Sequence, residues 1–165
     1  MTLAGIMKKH YLFILIIGLL LITCKKDNMK IIKADLTFRS ISFNSVYGGT
    51  DEQIAETNAQ LDSILNLENP RKSDYELAKY FQRLKDNNLF RLPYIFLLLE
   101  NDSIITVHLT EKEYTKVKDF RHIDLYRKNK KVELEIELKQ LDSSMFFSDN
   151  IIKISEVNGR SHSNK

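Results

Sequence analysis

Val132-Glu133-Leu134-Glu135-Ile136-Glu137-Leu138-Lys139 alternates aliphatic with charged side chains without a break. Successive side chains of a β-strand point to opposite faces, so this run predicts a strand with one face buried and the other wet. On its N-terminal side, Arg127-Lys128-Asn129-Lys130-Lys131 reads as a polar turn. Before that, Ile123 and Leu125 mark a further short strand. On its C-terminal side, Ile151 to Val157 reads as the last strand.

The same alternation recurs earlier. In Ile104 to Leu109, residues Ile105, Val107 and Leu109 face the core, while Thr106 and His108 face outward. Asn101-Asp102 supplies the turn before this strand, since both residues tolerate positive φ. Tyr94 to Leu99 is apolar without alternation, which predicts burial on both faces and a place at the sheet centre. Ile31 to Phe43 alternates through Ile32, Ala34, Leu36 and Phe38. Its phase changes near Ser40, the sign of a bulge or a strand end.

Helical spacing occupies the gap between the first strands. Thr50-Asp51-Glu52-Gln53 has the form of a capping box after the turn Tyr47-Gly48-Gly49. Ile54, Thr57, Leu61, Ile64 and Leu65 then predict a helix over 51–66, ended before Asn69-Pro70. Ser73-Asp74-Tyr75-Glu76 starts a second helix over 74–88, with Leu77, Phe81, Leu84 and Asn88 on one stripe. Thr110-Glu111-Lys112-Glu113 starts a third, ending near Phe120. The resulting order is β-α-α-β-β-α-β-β-β. Hairpins late in such a chain predict an α+β domain: an antiparallel sheet of five to six strands with two to three helices packed on one face. The single domain spans 31–158 and a polar tail follows over 159–165.

The composition is that of a globular chain, 43% hydrophobic and 28% charged. One cysteine rules out an intramolecular disulfide and a cysteine-only zinc site. Without Lys8 and Lys9, the 25 basic residues fall to 23, set against 22 acidic ones. A near-neutral domain offers no electrostatic case for nucleic acid.

At the N-terminus, Met7-Lys8-Lys9-His10 precedes an uncharged run, Tyr11 to Thr23, which ends in Leu21-Ile22-Thr23-Cys24. A spanning helix needs ~20 apolar residues, and charges bound this run on both sides. Its length suits the apolar region of a signal peptide. Residues 7–28 resemble the signal and lipobox of bacterial lipoproteins, with Leu21 at the usual aliphatic position and Thr23 where Gly, Ala or Ser is preferred. The Cys-Lys-Lys-Asp start is similar to that of many lipoproteins of the Bacteroidota. The resemblance implies removal of 1–23, a diacylglycerol on the Cys24 thiol and a lipidated tether over 24–30. It also implies a partner in the membrane. Lys25 rather than Asp after the cysteine resembles an outer-membrane address, facing the periplasm. Met1 and Met7 both stay open as the start.

The mature chain carries candidates for chemistry but no motif. His108 would need a positioned partner to act as a base, and a solvated histidine is the expectation. His122 and Asp124, two apart on a strand, would share a face as an acid–base pair or as two metal ligands. Glu133, Glu135 and Glu137 form a row ~6.8 Å apart, too linear for calcium and suited to pairing with lysines across the strands. The cluster from Arg127 to Lys131 suits either anionic headgroups or a solubilising turn. Gly48-Gly49 lacks the lysine of a phosphate loop, and Ser143-Ser144 sits in no nucleophile motif. Tyr75, Tyr80, Phe81 and Phe90 read as packing. No catalytic residue, metal or cofactor is expected. The leading expectation is a non-enzymatic envelope lipoprotein that binds or scaffolds a protein partner. A small-ligand carrier with a pocket between helices and sheet, and an immunity or inhibitor lipoprotein, stand behind it. A hydrolase using His108 or the His122/Asp124 pair ranks last.

Overall fold

A computed structural model of the protein describes residues 29–38 and 45–159. The expected signal peptide, Cys24, the expected tether up to residue 28, the phase change near Ser40 and the tail beyond Gly159 lie outside these residues, while Met29 and Lys30, expected in the tether, already belong to the first strand. The described residues form five strands: β1 (Met29–Thr37), β2 (Tyr94–Leu98), β3 (Ile104–Leu109), β4 (Lys130–Gln140) and β5 (Phe146–Asn158). Helices α1 (Asp51–Leu65) and α2 (Lys72–Asp86) lie between β1 and β2. Short helices α3 (Glu111–Thr115) and α4 (His122–Arg127) lie between β3 and β4.

The fold is α+β as expected, but the sheet is neither open nor wholly antiparallel. It closes into a barrel in the order β1-β2-β3-β5-β4, with β4 paired back onto β1. Within it β3 and β5 run parallel, Val107 opposite Phe146 and Leu109 opposite Ser148. The closure is made possible by β1, whose N-terminal part pairs with β4 and C-terminal part with β2. Asp35 stands opposite both Glu133 and Leu98. The expected strand around Ile123 and Leu125 is helix α4. Two apolar residues in alternation are too short a signal to overrule local helix formation.

The alternation in β4 does what the sequence predicts. Val132, Leu134 and Ile136 are fully buried in the barrel interior, and Leu138 is nearly so. Ala34, Leu36, Ile95, Leu97, Val107, Leu109 and Ile151 fill the same space from the other strands. Val117 and Leu125 close one end, so the α3–α4 segment plugs the barrel where β1 ends and β4 begins. A five-stranded barrel is narrow enough for side chains alone to fill it.

A second core lies between the barrel wall and the α1–α2 layer, built on Ile54, Leu61, Ala78, Phe81, Leu84, Leu89, Phe90 and Met145. Tyr94 to Leu98 is apolar on both sides because Ile95 and Leu97 fill the barrel, while Phe96, pointing out of it and packed edge-to-face on Tyr94, is only 8% exposed. The α1 capping box forms in both directions, with Thr50 Oγ1 accepting from the Gln53 N–H and Gln53 Oε1 accepting from the Thr50 N–H. In α2 the cap differs from expectation. Arg71 takes the N-cap position without a side-chain bond, and Ser73 donates to Asp74 instead. The buried face of α2 runs through Ala78, Phe81 and Leu84, leaving Leu77 exposed. The turns at Gly48 and Asp102 form as predicted, at φ of 79° and 61°. Among the described residues no helix is long and apolar enough to cross a membrane.

Candidate functional site

A cleft lies at the α4 end of the barrel. It encloses about 800 Å³ between α4, the ends of β1 and β2 and the start of β4. Its position follows from closure. β1 leaves β4 after Asp35 to pair with β2, which opens a gap beside Thr37 and Lys131. The Lys131 ammonium bridges the gap by donating to both Asp35 oxygens, at 2.9 and 2.8 Å.

Helix geometry decides what α4 contributes. Residues two apart on a helix point to nearly opposite sides, whereas residues four apart share a face. His122 and Asp124 are thus separated, against the expectation from a strand. His122 pairs instead with Tyr126, their ring centroids 6.3 Å apart, and with Phe38 at 5.8 Å. All three line the cleft. Asp124 lines a separate, smaller depression with Lys116, Arg121 and Glu156. Arg127, Lys130 and Lys131 line the same cleft. Lys130 donates to Asn158 Oδ1 at 2.7 Å, and Lys131 is held by Asp35, so both ammonium groups are fixed in place. Three cations against the single carboxylate of Asp35 leave the cleft net positive. Tyr126, at 73% exposure, presents its ring to solvent at the rim. Aromatic faces beside fixed cations suit an extended acidic segment with apolar or aromatic side chains.

The other candidates are dispersed. His108 faces out of the barrel as expected but is only 1% exposed, covered on the side of the helix layer rather than solvated. Burial pushes its imidazole down from 6.5 to about 4; the Leu92 carbonyl faces the ring and opposes this weakly. No hydrogen bond of ordinary geometry reaches either ring nitrogen. A ring without a partner acid or nucleophile is a packed side chain, its nearest ring neighbour being Tyr94 at 6.0 Å. Glu133, Glu135 and Glu137 face outward in a row. Glu135 stands opposite Lys33 on one side and Lys153 on the other, and Glu137 accepts from Asn150 at 3.1 Å. Ser144 donates to Asp142 within the β4–β5 loop. Phe81 and Phe90 pack edge-to-face at 5.8 Å, Tyr80 packs against Phe81, and Tyr75 lies under Lys79. Among the described residues no three His, Asp or Glu side chains converge as metal ligands.

Glu113 plays a part its sequence position does not reveal. Thr110 caps α3 by accepting from the Glu113 N–H at 3.3 Å, but the Glu113 carboxylate turns inward and is 1% exposed. It accepts from the Ile151 N–H at 2.8 Å and from Lys116 Nζ at 2.6 Å. Burial alone would raise its pKa. The bonds from Lys116 and Ile151, with the charges of Lys116 and Lys112, overcome burial and hold the carboxyl below its ordinary value. Nothing near Glu113 in sequence signals this, because Ile151 is 38 residues away.

The chain matches no protein-family model, and comparison with curated proteins and with solved structures finds no match in either.

Proposed function

We propose that the protein is a non-enzymatic lipoprotein of the cell envelope, anchored through Cys24, whose barrel domain binds an acidic segment of a protein partner in the cleft at the α4 end. The observation that carries the binding half is the pairing of an aromatic wall, Phe38, His122 and Tyr126, with Arg127, Lys130 and Lys131 in one open cleft. The anchoring half rests on the resemblance of residues 7–28 to a lipoprotein signal. An enclosed ligand site has less support. The barrel interior and the space beneath α1 and α2 are both occupied by side chains, several of them fully buried.

A photo-crosslinking residue placed at Tyr126 in cells tests the binding half, with Gln60 on α1 as control. A discrete adduct from position 126, absent from position 60 and lost on Arg127→Glu, is expected. Adducts of equal yield from both positions, or none from 126, refute it. Labelled palmitate incorporated into the native chain and lost on Cys24→Ser tests the anchor.

A further inference from the structure

The N-terminal half of β1 carries an unusual surface. Met29 and Ile31 point out of the barrel, on the face opposite to Ala34 and Leu36, and are 54% and 58% exposed. Their cross-strand neighbours on β4 are Lys139 and Glu137. Ile152, left over at a register shift in β5, is 45% exposed two strands away, ~10 Å across the wall. Lys33 is exposed on the same outward face, and Lys30 is exposed at this end on the opposite face of the strand. An exposed apolar group at the start of the strand that follows the expected lipid-anchor signal has an evident candidate occupant. Cys24 precedes Met29 by five residues, which reach at most ~18 Å even when fully extended. Lys25 and Lys26 lie within that reach.

We propose that the outward face of Met29 and Ile31, with Lys33 and Lys139 beside it, seats in the headgroup interface of the bilayer that carries the anchor, so that the barrel stands on the N-terminal end of β1. The inference rests on the anchor reading above. Apolar side chains sink into the boundary between headgroups and acyl chains, and the lysines meet the headgroup phosphates. Acidic groups stand beside this face as well. Glu137 is opposite Ile31 and accepts from Asn150, Glu135 lies between Lys33 and Lys153, and Asp142 lies 3.8 Å from Arg83. Glu100 and Asp102 lie on the exposed β2–β3 turn, just beyond Leu98 opposite Asp35, and are therefore set back along β1 from Met29 and Ile31. The α4 cleft lies at the opposite end of β1, whose nine residues extend it by ~26 Å. The cleft then opens away from the membrane.

The chain has no tryptophan, so a single one reports unambiguously. Full-length Ile31→Trp, Met29→Trp and Tyr126→Trp proteins are extracted from membranes and reconstituted in vesicles of phosphatidylethanolamine and phosphatidylglycerol with brominated acyl chains. Flotation and intact mass are read on the same samples. The expected result is flotation of all three, with tryptophan at 31 and 29 quenched about twofold or more and tryptophan at 126 unquenched, as burial ~5–10 Å deep requires. Flotation with acylated mass but equal quenching at 31 and 126, or none at 31 and 29, overturns the seating and leaves the anchor standing. Failure to float, with Cys24 unmodified by mass, overturns both.

Discussion

Replacing His108 by Leu should stabilise the protein, and most strongly in mild acid. The imidazole is 1% exposed and neither ring nitrogen has a hydrogen-bond partner. An unsatisfied buried polar group costs ~1–3 kcal/mol, and leucine fills a similar volume without polar atoms. The acid component follows from linkage. The folded imidazole is lowered to about 4 from 6.5, so the unfolded chain takes up its proton first as pH falls. Stability contributed by this neutral ring is therefore full above the unfolded value and is lost progressively between it and the folded one. Between about pH 7 and about pH 5 the loss from this one group is ~2 kcal/mol. Urea denaturation of wild type and His108→Leu at both pH values reads it directly. The variant should unfold at higher urea near pH 7, with a gap that widens by ~2 kcal/mol near pH 5. A variant less stable than wild type at neutral pH, or a gap unchanged by acid, refutes the reasoning. Either result would mean that the ring is satisfied or stays accessible to protons.

Glu113→Ala strands the Ile151 N–H and should cost ~1–3 kcal/mol in urea denaturation. Glu113→Gln keeps an acceptor and should recover part of that loss, and equal losses would contradict the bond. Because the Glu113 pKa is lowered in the fold, its contribution is present above the ordinary carboxylate value and disappears as pH falls through the lowered one. The acid limb of the stability curve should therefore flatten in Glu113→Ala. Gly48→Ala forces a side chain onto φ of 79° and should lower stability by ~1–2 kcal/mol, checked by thermal melting. Ile136→Ala empties part of the fully buried barrel interior, and a loss of ~2–5 kcal/mol in chemical denaturation is expected.

How far the sequence carries the reading depends on the range of the contact concerned. The β4 alternation, the Thr50 capping box and the Asp102 turn are local, and each forms where the residues predict. Closure of the barrel is not local. It depends on Asp35 serving two neighbouring strands and on β5 lying parallel to β3, and neither leaves a periodic trace. The period-two reading of Ile123 and Leu125 failed because Leu125 is buried as a helical plug beneath β4, with His122 and Tyr126 turned to the cleft. His108 was assigned to the correct face but to the wrong solvent, since alternation distinguishes inside from outside a sheet and is silent on a second layer. The cleft could be glimpsed only as its parts, the 127–131 basic cluster and His122, while Phe38 enters from a strand far away in sequence.

The parallel β3–β5 pair explains why the chain between β3 and β4 matters for both fold and site. A parallel neighbour cannot be reached by a tight turn, so β5 arrives along β3 after β4 has been laid down elsewhere. β5 pairs with β3 on one edge and β4 on the other at Phe146 and Phe147, then follows β4 alone, and it bends through two register shifts, one opposite Glu135 and Ile136 and one opposite Glu137 to Lys139. A bulge frees a backbone N–H from the ladder. Ile151 sits at the first shift, and its N–H finds the Glu113 carboxylate carried by α3. The segment that supplies this acceptor continues through Val117 and Leu125 into the barrel mouth and ends in the cleft-lining residues of α4. One connection therefore satisfies the bend that closure requires, plugs the open end and presents the aromatic wall. The connection carries the chain from β3 past the place that β5 takes to β4, and the cleft is built on its last residues.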